Sequence, residues 1–141
     1  MSGIKLDKKA LGVFEEMKKK RTHKYMIFSI KKEKVIIIDS ESGLASKKPS
    51  YEDFAKAVVS ADGGKPCWGV IDYEAKKKDG SLLNRLVMVS WCPDDSGVKA
   101  KMLHGSTTNT IKSKLGIDKT LQASAPSECE ESVVRELLGL K

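Results

Sequence analysis

The sequence predicts a single α/β domain, and three observations carry that reading. Short runs rich in β-branched and aromatic residues alternate with stretches whose apolar residues recur at helical spacing. At 141 residues the chain is the size of one domain with one sizeable core. No polar linker, internal repeat or low-complexity block is long enough to separate a second domain from the first, so 1–141 is expected to fold as one unit.

Residues 1–5 are expected to form a short flexible tail. Asp7 is placed to cap a helix running to about Lys20, with Ala10, Val13, Phe14 and Met17 as its apolar stripe. The run Lys18-Lys19-Lys20-Arg21 sets cations against the C-terminal dipole of that helix. Tyr25 to Ile30 and Val35 to Asp39 read as two strands of a hairpin across Lys31-Lys32-Glu33-Lys34. The uninterrupted Val35 to Ile38 suits a strand covered on both faces. Ser40 to Lys48 is polar and reads as loop. Ser50 then caps a helix carrying Phe54, Ala57 and Val58, which Asp62-Gly63-Gly64 ends. Cys67 to Tyr73 and Leu82 to Trp91 are the third and fourth strands, separated by the charged turn Lys76 to Gly80. Thr120 to Ala123 is a short fifth strand. Glu130 to Leu138 is a last helix with Val133, Val134, Leu137 and Leu138 inward.

The stretch from Trp91 to Leu115 is the most informative. Pro93 stops the strand, and Asp94, Asp95 and Ser96 offer capping oxygens to a long helix. At about 100° per residue, Ala100, Leu103, Thr107 and Ile111 fall on one side and are expected to face the core. Val98, Lys101, Met102, Gly105, Asn109 and Lys112 fall on the other, which sets an apolar Met and Val among lysines where solvent should be. Such a face suits binding: the apolar area supplies burial and the lysines supply orientation.

Composition narrows the function. The net charge of +7 favours acidic partners, whether nucleic acid, anionic lipid or an acidic protein surface. Aromatic content of 6% and the lack of an RNP-like pattern argue against nucleic acid. There is no 18-residue apolar run and no apolar N-terminal region of the secretory kind. Cys67, Cys92 and Cys129 are far apart and form no CxxC, so they read as reduced, largely buried thiols of a cytosolic protein. His23 and His104 show no ligand spacing with them, so neither metal nor cofactor is expected, and His104 is read as a packed histidine. No GxxxxGK[ST], GxSxG or HExxH occurs, and the pair Asp94-Asp95 fits capping better than acid/base work, so no enzyme is expected.

The wording of Trp91, Pro93, Asp94, Lys99, Lys101 and Met102 closely resembles the long actin-binding helix of the actin-depolymerising factor/cofilin family. Met1-Ser2-Gly3-Ile4, Tyr25-Met26-Ile27-Phe28, Pro49 to Phe54 and Val70 to Glu74 match further family blocks in the right order. The resemblance therefore covers nearly the whole chain. It implies a single ADF-homology domain, with a central mixed sheet of about five strands and helices on both faces. It implies a protein that binds actin monomers and filaments, severs and depolymerises filaments, prefers ADP-loaded actin and acts as a monomer in the cytoplasm. Two alternatives remain: a coactosin-like side binder that does not sever, and a phosphoinositide-binding module.

Carried over by position, the resemblance places Ser2, Gly3, Ile4, Lys99, Lys101, Met102 and Lys112 on the actin monomer. Ser2 is the family's phosphorylation switch. Arg85, Arg135 and Glu136 fall on the filament-contact surface, with two departures. Leu83 and Asn84 stand where a further basic residue is usual, and Arg135-Glu136 reverses the usual order. Lys18 to Arg21 sits near where the family carries an import-like motif, which leaves nuclear entry open.

Overall fold

In the computed structural model, residues 4–38 and 43–140 are described. Ser2 and Gly3, the end of the second predicted strand at Asp39 and the start of the following loop lie outside these residues. Six strands form one sheet: β1 (Lys5–Leu6), β2 (Tyr25–Lys31), β3 (Lys34–Ile38), β4 (Cys67–Lys76), β5 (Leu82–Trp91) and β6 (Lys119–Ala123). Their order is β1-β3-β2-β4-β5-β6, parallel at β1-β3 and β5-β6 and antiparallel elsewhere. Four helices accompany them: α1 (Lys8–Lys20), α2 (Tyr51–Ser60), α3 (Val98–Leu115) and α4 (Glu131–Leu137).

The period-two alternation of the strands sorts the core into two layers. Met26, Phe28, Trp68, Val70 and Met88 face Ala10, Phe14 and Met17 of α1 and Ile111 and Leu115 of α3. Tyr25, Ile27, Ile71, Tyr73, Val87 and Val89 face Tyr51, Phe54 and Val58 of α2 and Val134 of α4. The sheet is thus covered on both faces, as predicted. Gly69 lets α2 lie close, because a Cβ there would stand 2.5 Å from Val58 Cγ2.

Local chemistry explains several boundaries. The β2–β3 hairpin turns on Lys32 and Glu33, both left-handed at φ 50° and 65°, as a tight two-residue connection requires. Ser50 and Asp53 form a reciprocal capping box at α2: Asp53 N donates to Ser50 Oγ at 3.1 Å and Ser50 N to Asp53 Oδ2 at 2.9 Å. That pair holds the exposed Asp53 carboxyl below its ordinary range through the backbone hydrogen bond first.

Some expectations need correction. The expected tail 1–5 ends sooner, since Ile4 is buried and Lys5 and Leu6 pair with Lys34 and Val35, adding a sixth strand to the expected five. β3 packs on both faces, with Val35 and Ile37 in one layer and Ile38 in the other, but only Val35 is fully buried. Ile36, Ile37 and Ile38 are half-buried, and β1 pairs β3 only at Lys34 and Val35. Asp7 stands at the N-cap of α1 without accepting a side-chain bond. Cys67 and Cys129 are buried thiols, but Cys92 is half-buried.

Candidate binding surfaces on α3 and on β5–α4

The chain leaves β5 at Trp91, and Cys92 N still bonds Ala123 O of β6 at 2.9 Å. Pro93 then opens a turn closed by Ser96 N on Pro93 O at 3.0 Å. Asp94, Asp95 and Ser96 are consumed in this turn and do not cap the helix. The N-cap of α3 is Gly97, whose carbonyl accepts from Lys101 N at 2.9 Å. The carboxylates of Asp94 and Asp95 therefore lie three and two residues ahead of the cap.

The inward face of α3 is also different. Its buried residues are His104, Thr107, Thr108, Ile111 and Leu115. Ala100 and Leu103, expected in the core, are exposed. The middle of α3 meets the sheet through a polar cluster, and ahead of it Ala100 and Leu103 border a cleft with Ile30, Pro66 and Trp68 that stays open. Trp68 Nε1 donates to Thr108 Oγ1 at 2.8 Å, Thr108 Oγ1 donates to His104 O at 2.7 Å, and Ser90 Oγ lies 2.8 Å from His104 Nε2. The His104 ring stacks on Trp68 with centroids 4.4 Å apart and 6° between planes. Burial pushes the His104 pKa down from 6.5 to about 4, so the ring is neutral near pH 7. His104 is thus a packed histidine, as read from sequence.

The outward face is the candidate site. Val98 is 74%, Met102 69% and Leu103 36% exposed, which makes a small apolar patch at the start of the helix. Lys99 and Lys101 flank it and are exposed, while Lys112 is half-buried further along the helix. Gly105 exposes bare backbone on the same helix, and a Cβ there would meet nothing within 4 Å, so domain packing does not demand the glycine. Ile4 is packed in the layer that also contains Ile111 and Leu115, which sets the start of the described residues beside α3. Sequence reasoning misses Leu103. Its helical spacing from Thr107 and Ile111 points inward, and no signal in the pattern marks the open cleft beside Trp68 that leaves it exposed.

The second group of predicted residues lies at the far end of β5. Arg85 is exposed and stands opposite Tyr73 on β4. Arg135 on α4 lines the same cleft of about 400 Å³, together with Lys76, Lys77, Lys78 and Leu138. Arg135 NH1 also donates to Tyr73 Oη at 3.5 Å, and Tyr73 Oη donates to Glu131 Oε2 at 2.6 Å. Burial first, then that bond to Glu131, raises the Tyr73 pKa. Glu136 is exposed and does not line the cleft. The structure thus brings Arg85 and Arg135 together and leaves Glu136 apart. The lysines of the β4–β5 turn, read from sequence only as a turn, complete this basic cleft.

The family model described as cofilin/tropomyosin-type actin-binding protein matches residues 3–139. Actophorin of Acanthamoeba castellanii is 31% identical over 138 residues, covering 96% of this chain and 95% of its own. An actin-depolymerizing factor of Vitis vinifera is 29% identical over 138 residues, covering 96% and 92%. Among solved structures, the cofilin of Streptomyces griseoflavus superposes with a TM-score of 0.79 at 25% identity, covering 95% of this chain and 96% of that one.

Proposed function

The chain belongs to the cofilin/tropomyosin-type actin-binding family, and we propose that it binds actin monomers and filaments, severs filaments and accelerates subunit loss. The observation that carries this reading is the face of α3 on which Met102 stands exposed between Lys99 and Lys101. A monomer in solution gains nothing from displaying Val98, Met102 and Leu103 together, whereas a partner with an apolar cleft and an acidic rim would bury them. In this reading Lys99, Lys101 and Lys112 set orientation and encounter rate, and Met102 sets residence time. The family regulates actin without catalysis, so no reaction chemistry is invoked.

The cleft of Arg85 and Arg135 is proposed as the contact to a neighbouring filament subunit, with Glu136 at its margin. Binding two subunits best in a twisted arrangement shifts the filament toward that twist. Boundaries between decorated and bare stretches then carry mismatched contacts and break. Preference for ADP-loaded actin would be a difference in affinity between two actin states. Arg85→Ala is expected to leave monomer binding unchanged and to weaken filament co-sedimentation roughly threefold to tenfold. A parallel loss of both would overturn the assignment of two separate surfaces.

Ser2 and Gly3 are proposed to touch the same subunit as α3, because Ile4, the next residue, packs in the layer of Ile111 and Leu115 of that helix. A phosphate on Ser2 would add up to about two negative charges against an acidic partner and disfavour docking. Ser2→Glu is therefore expected to weaken monomer binding, measured by fluorescence titration, while Ser2→Ala binds as the parent does. Equal affinities would remove the switch.

The two alternatives make different forecasts. A coactosin-like side binder would decorate filaments without shortening them. A phosphoinositide module would bind anionic vesicles through the basic α3 face, and we place such binding as a regulatory side activity that competes with actin. Filament microscopy with the purified chain separates them: severing is expected, and steady filament length under full decoration would favour the side binder. The proposed place of work is the cytoplasmic actin cytoskeleton, with nuclear entry through Lys18 to Arg21 a further proposal.

A further inference from the structure

α2 carries more apolar surface than the sheet covers. Phe54 and Val58 point into the core, but Tyr51, Ala55 and Val59, spaced at four residues, line the floor of a separate groove of about 740 Å³. The opposite wall comes from Pro126 and the start of α4. Tyr51 is fixed there, since its hydroxyl donates to Cys129 O at 2.7 Å. Ala55 and Val59 are half-buried and face the opening.

The rim of this groove runs against the charge of the chain. Glu52, Glu130 and Glu131 are exposed along it, against the single cation Lys56, on a protein of net charge +7. Glu131 accepts from Tyr73, but neither Glu52 nor Glu130 belongs to an ion pair among the described residues. α1 and α3, which carry Lys18 to Lys20 and Lys99 and Lys101, pack on the other face of the sheet. A cationic partner is thus repelled by the α1–α3 side and drawn to this groove.

We propose that the groove between α2 and α4 docks a cationic amphipathic helix of a partner protein. The ten residues of α2 span about 15 Å, which matches two to three turns of such a helix. Its apolar side chains at i and i+4 would lie over Ala55 and Val59, and its Lys or Arg residues would reach Glu52 and Glu130. The groove and α3 lie on opposite faces of the sheet, so this docking does not rest on actin binding.

The test is an NMR titration of the full ¹⁵N-labelled chain with a synthetic Leu/Lys amphipathic helix of about 14 residues, beside a Leu/Glu peptide of equal length. The Lys peptide is expected to shift the amides of Glu52, Ala55, Val59 and Ser132, and the Glu peptide to leave them in place. Glu52→Gln with Glu130→Gln should weaken the Lys peptide roughly fivefold or more while the chain stays folded, with the thermal midpoint lowered only by the loss of two charges at helix N-termini. Equal binding of the two peptides, shifts confined to α3 or a sheet edge, or a double variant that binds as the parent does would overturn the proposal. So would a dimer of the chain, seen by sedimentation equilibrium and lost in the double variant, because the occupant would then be a second copy.

Discussion

Replacing Lys99 and Lys101 together by alanine is expected to lower the affinity for monomeric actin at least tenfold, about 1.4 kcal/mol or more, and to leave the unfolding transition in place. Both side chains are exposed, and neither belongs to an ion pair among the described residues. Alanine is moreover a better helix former than lysine, so the helix itself is not weakened. The loss falls on encounter and orientation, and rises at low ionic strength where the lysines act furthest. Met102→Ala supplies the complementary result. The side chain is 69% exposed, so its truncation costs the domain little, yet it removes the largest apolar group of the patch and should speed dissociation. Fluorescence titration of labelled actin monomers checks affinity, stopped flow separates the two rates, and circular dichroism checks the fold. A double lysine variant that binds monomers as tightly as the parent would remove α3 from the interface. Loss of binding together with a lower melting temperature would assign the lysines a structural role.

Much of this arrangement can be read from the chain alone, and the departures share a cause. The element order follows from apolar spacing, because each strand of the central four alternates between two covered faces and each of α1 and α2 buries one apolar stripe. The exposure of Met102 follows from the same spacing. The inner face of α3 does not. Helical periodicity counts apolar residues, and the domain seats the middle of this helix on His104, Thr107 and Thr108, of which His104 bonds Ser90 and Thr108 bonds Trp68. Periodicity therefore turns Leu103 inward although it stands 36% exposed. The misplaced cap has a similar origin. Asp94, Asp95 and Ser96 have the right chemistry, but the Pro93–Ser96 turn uses their backbone and passes the cap to Gly97. The cleft between Arg85 and Arg135 joins strand and helix residues 50 apart in sequence, a proximity no local pattern encodes.

The polar seam under α3 makes the domain sensitive to acid. Burial alone holds the His104 pKa near 4, against 6.5 for the free side chain. Between those two values the unfolded chain binds a proton that the native chain refuses, so stability falls as pH falls through that window. The full loss amounts to about 3 kcal/mol by pH 4, a large share of a domain's typical margin. Charged neighbours at the two clefts bordering the ring, namely Asp94, Lys101, Glu128 and Lys65, do not relieve it. Glu128, held low mainly by the backbone amide of Ser124, and the similarly lowered Asp53 and Asp79 add slope of the same sign, but at lower pH and from exposed positions. Urea unfolding between pH 4 and 7 is therefore expected to show a steep decline that His104→Gln flattens, even though that variant loses the Trp68 stack and is less stable at pH 7. An unchanged slope in the variant would place the acid sensitivity elsewhere. Well above pH 6.5 the ring is neutral in native and unfolded chains alike, so His104 contributes no pH dependence to actin binding there. It acts by seating α3 on the sheet, which fixes the direction in which Met102 and its lysines point.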